Sequence, residues 1–305
     1  MSTEGTRSDR RRTPGWVRWV ALLVALIVLA GAAFAIWSVF IRPTEQLDKC
    51  RAITTTESVT ASPIVAPTST VVPAASVSLD PEQARNAAII AGIGMKRNLP
   101  VRAAVVALAT AYQESKLRNI AYGDRDSLGL FQQRPSQDWG TAEQVMDPYY
   151  ATNAFYNALV RLKNWQTMDV NDAAQAVQRS GFPTAYRQHV ANATTLAMAL
   201  TGQSEGSFSC AVKDPRSGDP EAAQTWLTKT LGPDVKGTLN GRTVTFTAPD
   251  QTKAWQWAQL AVANAGGFGL ESVQVGKRTW TMDSYKIASW SPGEESTTVV
   301  VTFRP

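Results

Sequence analysis

One glutamate, Glu114, stands at the end of an apolar segment and directly before a polar loop. The segment places small residues at spacings of three and four, which predicts a buried helix over about 101–117 with Glu114 on the same face. Burial and the negative end of the helix dipole both disfavour a charged carboxylate. We therefore expect the pKa of Glu114 to be raised, as a general acid requires. From spacing alone, a glutamate that frays into solvent is the alternative.

Three motifs around this glutamate resemble the lysozyme-like superfamily, namely its goose-type lysozymes and lytic transglycosylases, in an actinobacterial membrane-anchored type. Glu114-Ser115 resembles the Glu-Ser pair that ends a buried helix in these proteins, and Gly129-Leu130-Phe131-Gln132 resembles the turn that follows. Ala185-Tyr186 is similar to a third segment, although Arg187 departs from the family pattern. The resemblance covers about residues 80–200.

The resemblance implies a role for each matching residue. Glu114 would be the general acid, Ser115 would orient it or the substrate, and Tyr186 would lean over it. Gln132 would line the cleft where an N-acetyl group hydrogen-bonds. Further substrate-binding candidates are Asp126, Gln133 and Tyr149.

The loop also holds Asp124, which resembles an aspartate of goose-type lysozymes that is a candidate for positioning water. As a base, Asp124 would direct attack from the opposite sugar face, which requires carboxyl groups about 6.5–9.5 Å apart. Without a base, the substrate's own hydroxyl would close on the anomeric carbon, as in a transglycosylase. For Asp124 and Asp126 alike, loop capping or an ion pair with Arg125 or Arg134 is the alternative.

Aromatic residues near the loop are candidates for stacking on sugar rings. They are Trp139, Tyr149 and Tyr150. Tyrosines at the start of a helix are more often part of the core, so we expect one of the two to be buried there.

The amino-terminal segment predicts a membrane anchor. Residues 19–41 contain no charged side chain, and at about 1.5 Å per residue such a helix crosses a bilayer. Preceding arginines predict a cytoplasmic amino terminus and an extracytoplasmic bulk, with localisation at the cell membrane. A cleaved signal peptide is the alternative, although its apolar region is usually only about 7–15 residues long.

The net charge of +5 does not indicate nucleic-acid binding. Within the first 18 residues, five arginines against Glu4 and Asp9 supply 5 − 2 = +3, which leaves +2 for the rest of the chain. The basic excess lies in a tail rather than on a folded face, so no nucleic-acid partner is predicted.

Two cysteines, Cys50 and Cys210, are the only ones in the chain. Their separation does not match metal-ligand spacing, and an oxidising exterior permits a bond between them. We predict a disulfide, with two unrelated thiols as the alternative.

Composition divides the chain into five parts: a basic tail (1–18), a transmembrane helix (19–41), an extracytoplasmic linker (42–79), a lysozyme-like domain (80–210) and an accessory domain (211–305). The linker is rich in Thr, Ser, Ala, Val and Pro. The predicted fold class is a mainly α lysozyme-like catalytic domain followed by a small α+β domain, with one amino-terminal transmembrane helix. Residues 211–305 are a candidate surface for an envelope protein partner.

Other chemistries find little support in the sequence. His189 is the only histidine, and no nucleophile elbow lies near it. Metal sites built on His or Cys clusters are excluded by the same scarcity, and no phosphate loop or dinucleotide motif appears. We predict neither a metal nor a cofactor.

Two functions remain. The first is a membrane-anchored glycosidase that cleaves the MurNAc-GlcNAc backbone of peptidoglycan, either as a hydrolase or as a transglycosylase. The second is a catalytically inactive protein that binds peptidoglycan or serves envelope assembly, in secretion or conjugation. Both have peptidoglycan glycan strands and the membrane as partners.

Overall fold

Three short strands form an antiparallel sheet that joins distant parts of the chain. The computed structural model describes residues 48–54 and 72–305. Strands β1 (Lys49–Ile53), β2 (Ser76–Leu79) and β3 (Phe208–Ala211) lie in the order β2-β1-β3. In β1, buried and exposed residues alternate, so Cys50 faces the core. Cys50 lies opposite Cys210 and is bonded to it, which confirms the predicted disulfide.

Six helices follow the first two strands. Their bounds are α1 Pro81–Lys96, α2 Val101–Ser115, α3 Ala142–Met146, α4 Pro148–Arg161, α5 Val170–Gln178 and α6 Val190–Leu200. Helix α2 is the central one, because every residue from Arg102 to Ala111 is buried and α1, α4, α5 and α6 pack around it. Short 3-10 turns lie at Pro135–Gln137 and Arg187–His189.

The remaining chain adds three helices and a second sheet. The helices are α7 Pro220–Leu231, α8 Gln251–Ala263 and α9 Ala265–Phe268. The strands are β4 Gly237–Asn240, β5 Thr243–Thr247, β6 Leu270–Val275, β7 Arg278–Thr281 and β8 Thr298–Phe303. They form an antiparallel sheet in the order β4-β5-β8-β6-β7.

Helix α8 connects the two sheets and the helices. It packs against β6 and β8 on one side, against β3, and against α1 and α6. One buried hydrophobic cluster therefore includes residues from two regions: the first sheet with helices α1–α6, and the carboxyl-terminal region with α7–α9 and the second sheet. The described residues belong to one compact unit.

The predicted fold class is wrong. Instead of a mainly α domain before a small α+β domain, the described chain is mixed α/β with antiparallel sheets of three and five strands. The first sheet uses residues 49–53 and 76–79, whose composition predicted an extended linker. Strands this short give no long alternating pattern, and β3, which pairs with β1, is more than a hundred residues away in sequence.

The predicted basic tail (1–18) and transmembrane helix (19–41) lie outside the described residues. Among the residues that the structure describes, no helix has the length and apolar character needed to cross a membrane.

Candidate active site

Glu114 lies in the last turn of α2, and the end of this helix is fixed to the following loop. Lys116 and Leu117 adopt left-handed backbone conformations that stop the helix. The buried Ser115 hydroxyl donates to the carbonyl of Leu130 at 2.8 Å and to that of Ala111 at 3.1 Å. Ser115 therefore holds the loop against the helix rather than facing a substrate.

The Glu114 carboxyl is half-buried and bonded by two neutral donors. The hydroxyl of Tyr186 donates to Glu114 Oε1 at 2.6 Å. Gln178, in the last turn of α5, also hydrogen-bonds the carboxyl. The same amide donates to the carbonyl of Phe131 at 2.7 Å. The resemblance placed Tyr186 over Glu114, and the structure brings these two residues together.

Burial raises the pKa of Glu114 above its usual range, and it outweighs the opposing effect of the two donors. Burial and the nearby carboxylate also raise the pKa of Tyr186, so its hydroxyl stays protonated. A neutral donor orients the carboxyl without adding the positive charge that would force it to ionise. A proton donor with this arrangement keeps its proton to a higher pH than a free glutamate does.

Residues 129–132 form a turn, and the residues on either side of it, Leu128 and Gln133, pair in an isolated antiparallel β-bridge. Gly129 has a φ of +77°, and a Cβ at this position would lie 2.3 Å from the carbonyl oxygen of Val145. Only glycine fits here. The turn aims the Phe131 carbonyl at Gln178, so the loop and α5 both position the group that binds Glu114.

A groove of about 550 Å³ lies beside Gln178. We name it the Trp139 groove; its lining includes Trp139, Arg161, Gln178 and Arg179. Gln178 both lines this groove and bonds Glu114, whereas Glu114 itself is not among the lining residues. The groove carries an aromatic ring and two cations. That combination suits an oligosaccharide with acidic substituents.

The two loop aspartates differ sharply in their surroundings. The Asp124 side chain is 91% exposed and makes only a loose contact with Arg125 at 3.8 Å. Asp126 instead accepts from Arg134 at 2.8 Å and from the backbone and hydroxyl of Ser136. The guanidinium of Arg134, with the Ser136 donors, holds the pKa of Asp126 far below its usual range. Asp126 therefore clamps the loop, and nothing positions Asp124 as a base.

The two glutamines of the turn serve the loop itself. Gln132 donates from its amide to the carbonyls of Tyr122 at 3.3 Å and Gly129 at 3.2 Å. Gln133 is buried and donates to Ala151 at 3.1 Å. Gln133 is thus removed from any substrate, whereas Gln132 is partly exposed on the loop surface.

Tyr149 lies on a different surface. Its hydroxyl is 3.1 Å from that of Thr230, and the ammonium of Lys229 lies 3.8 Å from the centre of its ring. Tyr149 lines a groove along α7 that also includes Arg85, Arg216, Trp226 and Lys229, which we name the α7 groove. Since its ring face is covered by Lys229, Tyr149 is not open to sugar stacking.

Gln178 is a candidate site residue that sequence reasoning missed. It belongs to the amphipathic helix α5, where a polar residue near the carboxyl end looks like an ordinary surface position. Only the packing of α5 against α2 brings it to Glu114. The described residues contain no group of His, Cys, Asp and Glu suited to hold a metal ion.

Comparison with known proteins does not supply a family. No protein-family model matches the chain, and no curated protein matches it. Any functional assignment therefore depends on the residues and their geometry.

Proposed function

We propose that this chain is an extracytoplasmic glycosidase that cleaves the MurNAc-GlcNAc backbone of peptidoglycan, with Glu114 as the general acid. The observation that supports this most is the state of one carboxyl. Glu114 is half-buried, its pKa is raised, and the Tyr186 hydroxyl donates to it at 2.6 Å. Its second donor, Gln178, lines the Trp139 groove. The motif resemblance around Glu114-Ser115 points to the same chemistry.

In the proposed reaction, the proton of Glu114 passes to the glycosidic oxygen while the bond from that oxygen to the anomeric carbon breaks. The electron pair of the bond leaves with the oxygen, so the sugar develops oxocarbenium character. Tyr186 and Gln178 then stabilise the carboxylate that remains, since both donate to it. A donor that strengthens as negative charge develops lowers the barrier rather than only binding the substrate.

The second step is attack on the anomeric carbon. Asp124, the sequence candidate for a base, is exposed and lacks a close partner. Asp126 already accepts three hydrogen bonds, from Arg134 and Ser136. This favours attack by the substrate's own hydroxyl, which gives the anhydro product of a transglycosylase, over attack by a water that Asp124 activates. In that attack the hydroxyl oxygen bonds to the anomeric carbon and its proton passes to the Glu114 carboxylate left by the first step, which restores the acid.

The disulfide supports the proposed location. Such bonds persist in oxidising compartments, and Cys50–Cys210 closes the first sheet. Anchoring at the cell membrane through residues 19–41 stays a prediction.

The test is Glu114→Gln in the full-length chain, incubated with purified peptidoglycan, with products analysed by mass spectrometry. We expect the release of soluble fragments to fall by at least about 100-fold, within the range for losing a general acid. The control is Glu221→Gln, an exposed glutamate on α7 for which no hydrogen bond or ion pair is seen within the described chain. It should retain full activity.

Product masses separate the two outcomes of the second step. Anhydro ends lack one water relative to reducing ends, so they identify a transglycosylase. Undiminished release by Glu114→Gln would contradict the proposal. Binding to peptidoglycan with no release by the unaltered protein would favour the inactive binding or assembly protein instead.

A further inference from the structure

The α7 groove is separate from the Glu114 site and has a volume of about 730 Å³. Its wall is built by both regions of the chain. Arg85 comes from α1 and Tyr149 from α4, while Trp226 and Lys229 come from α7 and Arg216 from the loop before it. A volume in the range of about 300–1,000 Å³ accommodates a molecule of tripeptide size.

Three cations line this groove without an ion-pair partner. Within the part of the chain that the structure describes, neither Arg85, Arg216 nor Lys229 has a carboxylate within ion-pair distance. Arg85 and Arg216 are exposed. Their guanidinium groups are therefore available to carboxylates of a ligand, for which arginine has matching geometry.

Three carboxylates line the same groove. Asp48 accepts from the backbone of Lys213, and Asp219 caps α7 by accepting from the backbone of Ala222. Asp214 is the third. The three positive and three negative side chains give the groove no net charge, so its three carboxylates would repel a ligand that carries only negative charges. A ligand with both carboxylate and ammonium groups matches this pattern.

The aromatic residues of the groove argue against a sugar ligand. Lys229 covers the face of Tyr149 at 3.8 Å from the ring centre. Trp226 is only 7% exposed and packs edge-on against Phe268. Neither ring offers the open face on which a sugar stacks.

We propose that the α7 groove binds a short peptide that carries both carboxylate and ammonium groups. Under the proposed function, which this assignment rests on for the source of the peptide, it is the stem peptide attached to the glycan strand. The carboxylates of the peptide would pair with Arg85 and Arg216. Its ammonium would face the groove carboxylates, of which Asp214 is one. The carboxyl-terminal region then supplies part of a second binding site, so the protein binds the peptide as well as the glycan.

The test is calorimetric titration of the full-length chain with the tripeptide L-alanyl-γ-D-glutamyl-meso-diaminopimelic acid. We expect binding, with Arg85→Ala and Arg216→Ala each weakening it about tenfold, as expected for losing one hydrogen bond to a charged group. Lys236→Ala removes an exposed cation outside the groove and should leave the affinity unchanged. The same tripeptide with its carboxyl groups amidated should bind far more weakly.

Several outcomes would overturn the peptide assignment. They are absence of tripeptide binding, equal affinity in both arginine variants, tighter binding of poly-L-glutamate, and displacement of the tripeptide by chitotetraose. Glu114→Gln should bind the tripeptide as the unaltered protein does, because Glu114 does not line this groove. If Glu114→Gln stays active while the tripeptide binds, the glycosidase proposal fails and the peptide site stands.

Discussion

Buried polar side chains have different partners in the two regions of this protein. Around Glu114, the side chains of Gln178 and Tyr186 converge on a carboxyl whose pKa is raised. In the carboxyl-terminal region, Trp280 donates to Ser209 and Trp290 donates to the carbonyl of Phe208. The first set orients a titratable group whose pKa burial raises, whereas the second fastens residues of the carboxyl-terminal region to β3.

The surroundings of a carboxyl, and not its position along the chain, decide whether its pKa is raised or lowered. Asp283, a carboxyl-terminal carboxylate, shows the opposite trend to Glu114, because backbone donors of Tyr285 and Lys286 lower its pKa. A carboxyl satisfied by backbone donors is held as a stable anion. A carboxyl that is buried and bonded only by neutral side chains remains able to exchange a proton.

The largest expected effect removes the covalent link between β1 and β3 in the first sheet. Replacing both Cys50 and Cys210 by alanine frees a connection across 160 residues of sequence. We expect the free energy of unfolding to fall by about 4 kcal/mol, because the unfolded chain regains the freedom that the loop removed. Chemical denaturation with and without the double substitution measures this. An unchanged midpoint would show that the strand pairing alone holds β1.

The next effect removes hydrogen bonds that join α8 to β3 and to the end of α6. Gln259 is fully buried and accepts from the backbone of Ser207 and Phe208 while donating to Ala199 and Ser204. Gln259→Ala should lower the free energy of unfolding by about 3 kcal/mol, since several buried groups lose their partner. The pH dependence of activity should stay the same.

Gln224→Ala is the matched control for this substitution. Gln224 lies on α7 and is only half-buried, with no hydrogen bond seen within the described chain. Its substitution should change stability by less than about 0.5 kcal/mol. Similar losses for both glutamines would contradict the role assigned to Gln259.

A smaller effect is expected from removing the hydrogen bond between Tyr186 and Glu114. Tyr186→Phe removes the donor to Glu114, and we expect kcat to fall about tenfold, the equivalent of one hydrogen bond. Because the tyrosine lowers the pKa of Glu114, its loss should raise that pKa further. The alkaline limb of the pH–rate profile, where the acid loses its proton, should move to higher pH.

Tyr156→Phe tests whether this shift is specific. The Tyr156 hydroxyl is also buried and donates to Ile90 at 2.9 Å, but it does not contact Glu114. This variant should lose stability and leave the pH–rate profile in place. Equal shifts in both variants would rule out a positioning role for Tyr186.

The smallest effect concerns stability and pH. The folded-state pKa of Glu114 lies above the ordinary value of 4.5, so the folded state binds the proton more tightly than the unfolded state. Stability is therefore lost as pH rises from about 4.5 through the folded pKa. Glu114→Gln removes this loss, so its stability advantage over the unaltered protein should be larger at pH 8 than at pH 4. Urea denaturation at both pH values measures it, and Glu221→Gln should show no such change.

Long helices were predictable from the sequence because their signals are local. The pattern at Asp80-Pro81 and the apolar run after Val101 place α1 and α2 within a few residues of their observed bounds. Strands of four residues were not predictable where they lack alternation, as at β4 and β7, or where the alternation is as short as in β2. Their stability comes from partners elsewhere in the chain.

The candidate site shows the same division. Spacing placed Glu114 on the apolar face of its helix but left a glutamate that frays into solvent as the alternative, and the motif resemblance favoured the site role of Glu114 and of Tyr186. Gln178 was not, since nothing in its neighbours indicates that α5 packs there. The structure places Asp126 and Gln133 as supports of the loop, because Arg134, Ser136 and Ala151 happen to meet them.

By itself, the sequence determined which carboxyl would be held at the end of an apolar helix, because helical periodicity is a property of neighbouring residues. The tertiary structure alone decided which side chains meet that carboxyl, that β1 pairs with both β2 and β3, and that Tyr149 faces α7. Those outcomes depend on contacts between residues far apart in sequence, and such contacts form only when the whole core packs.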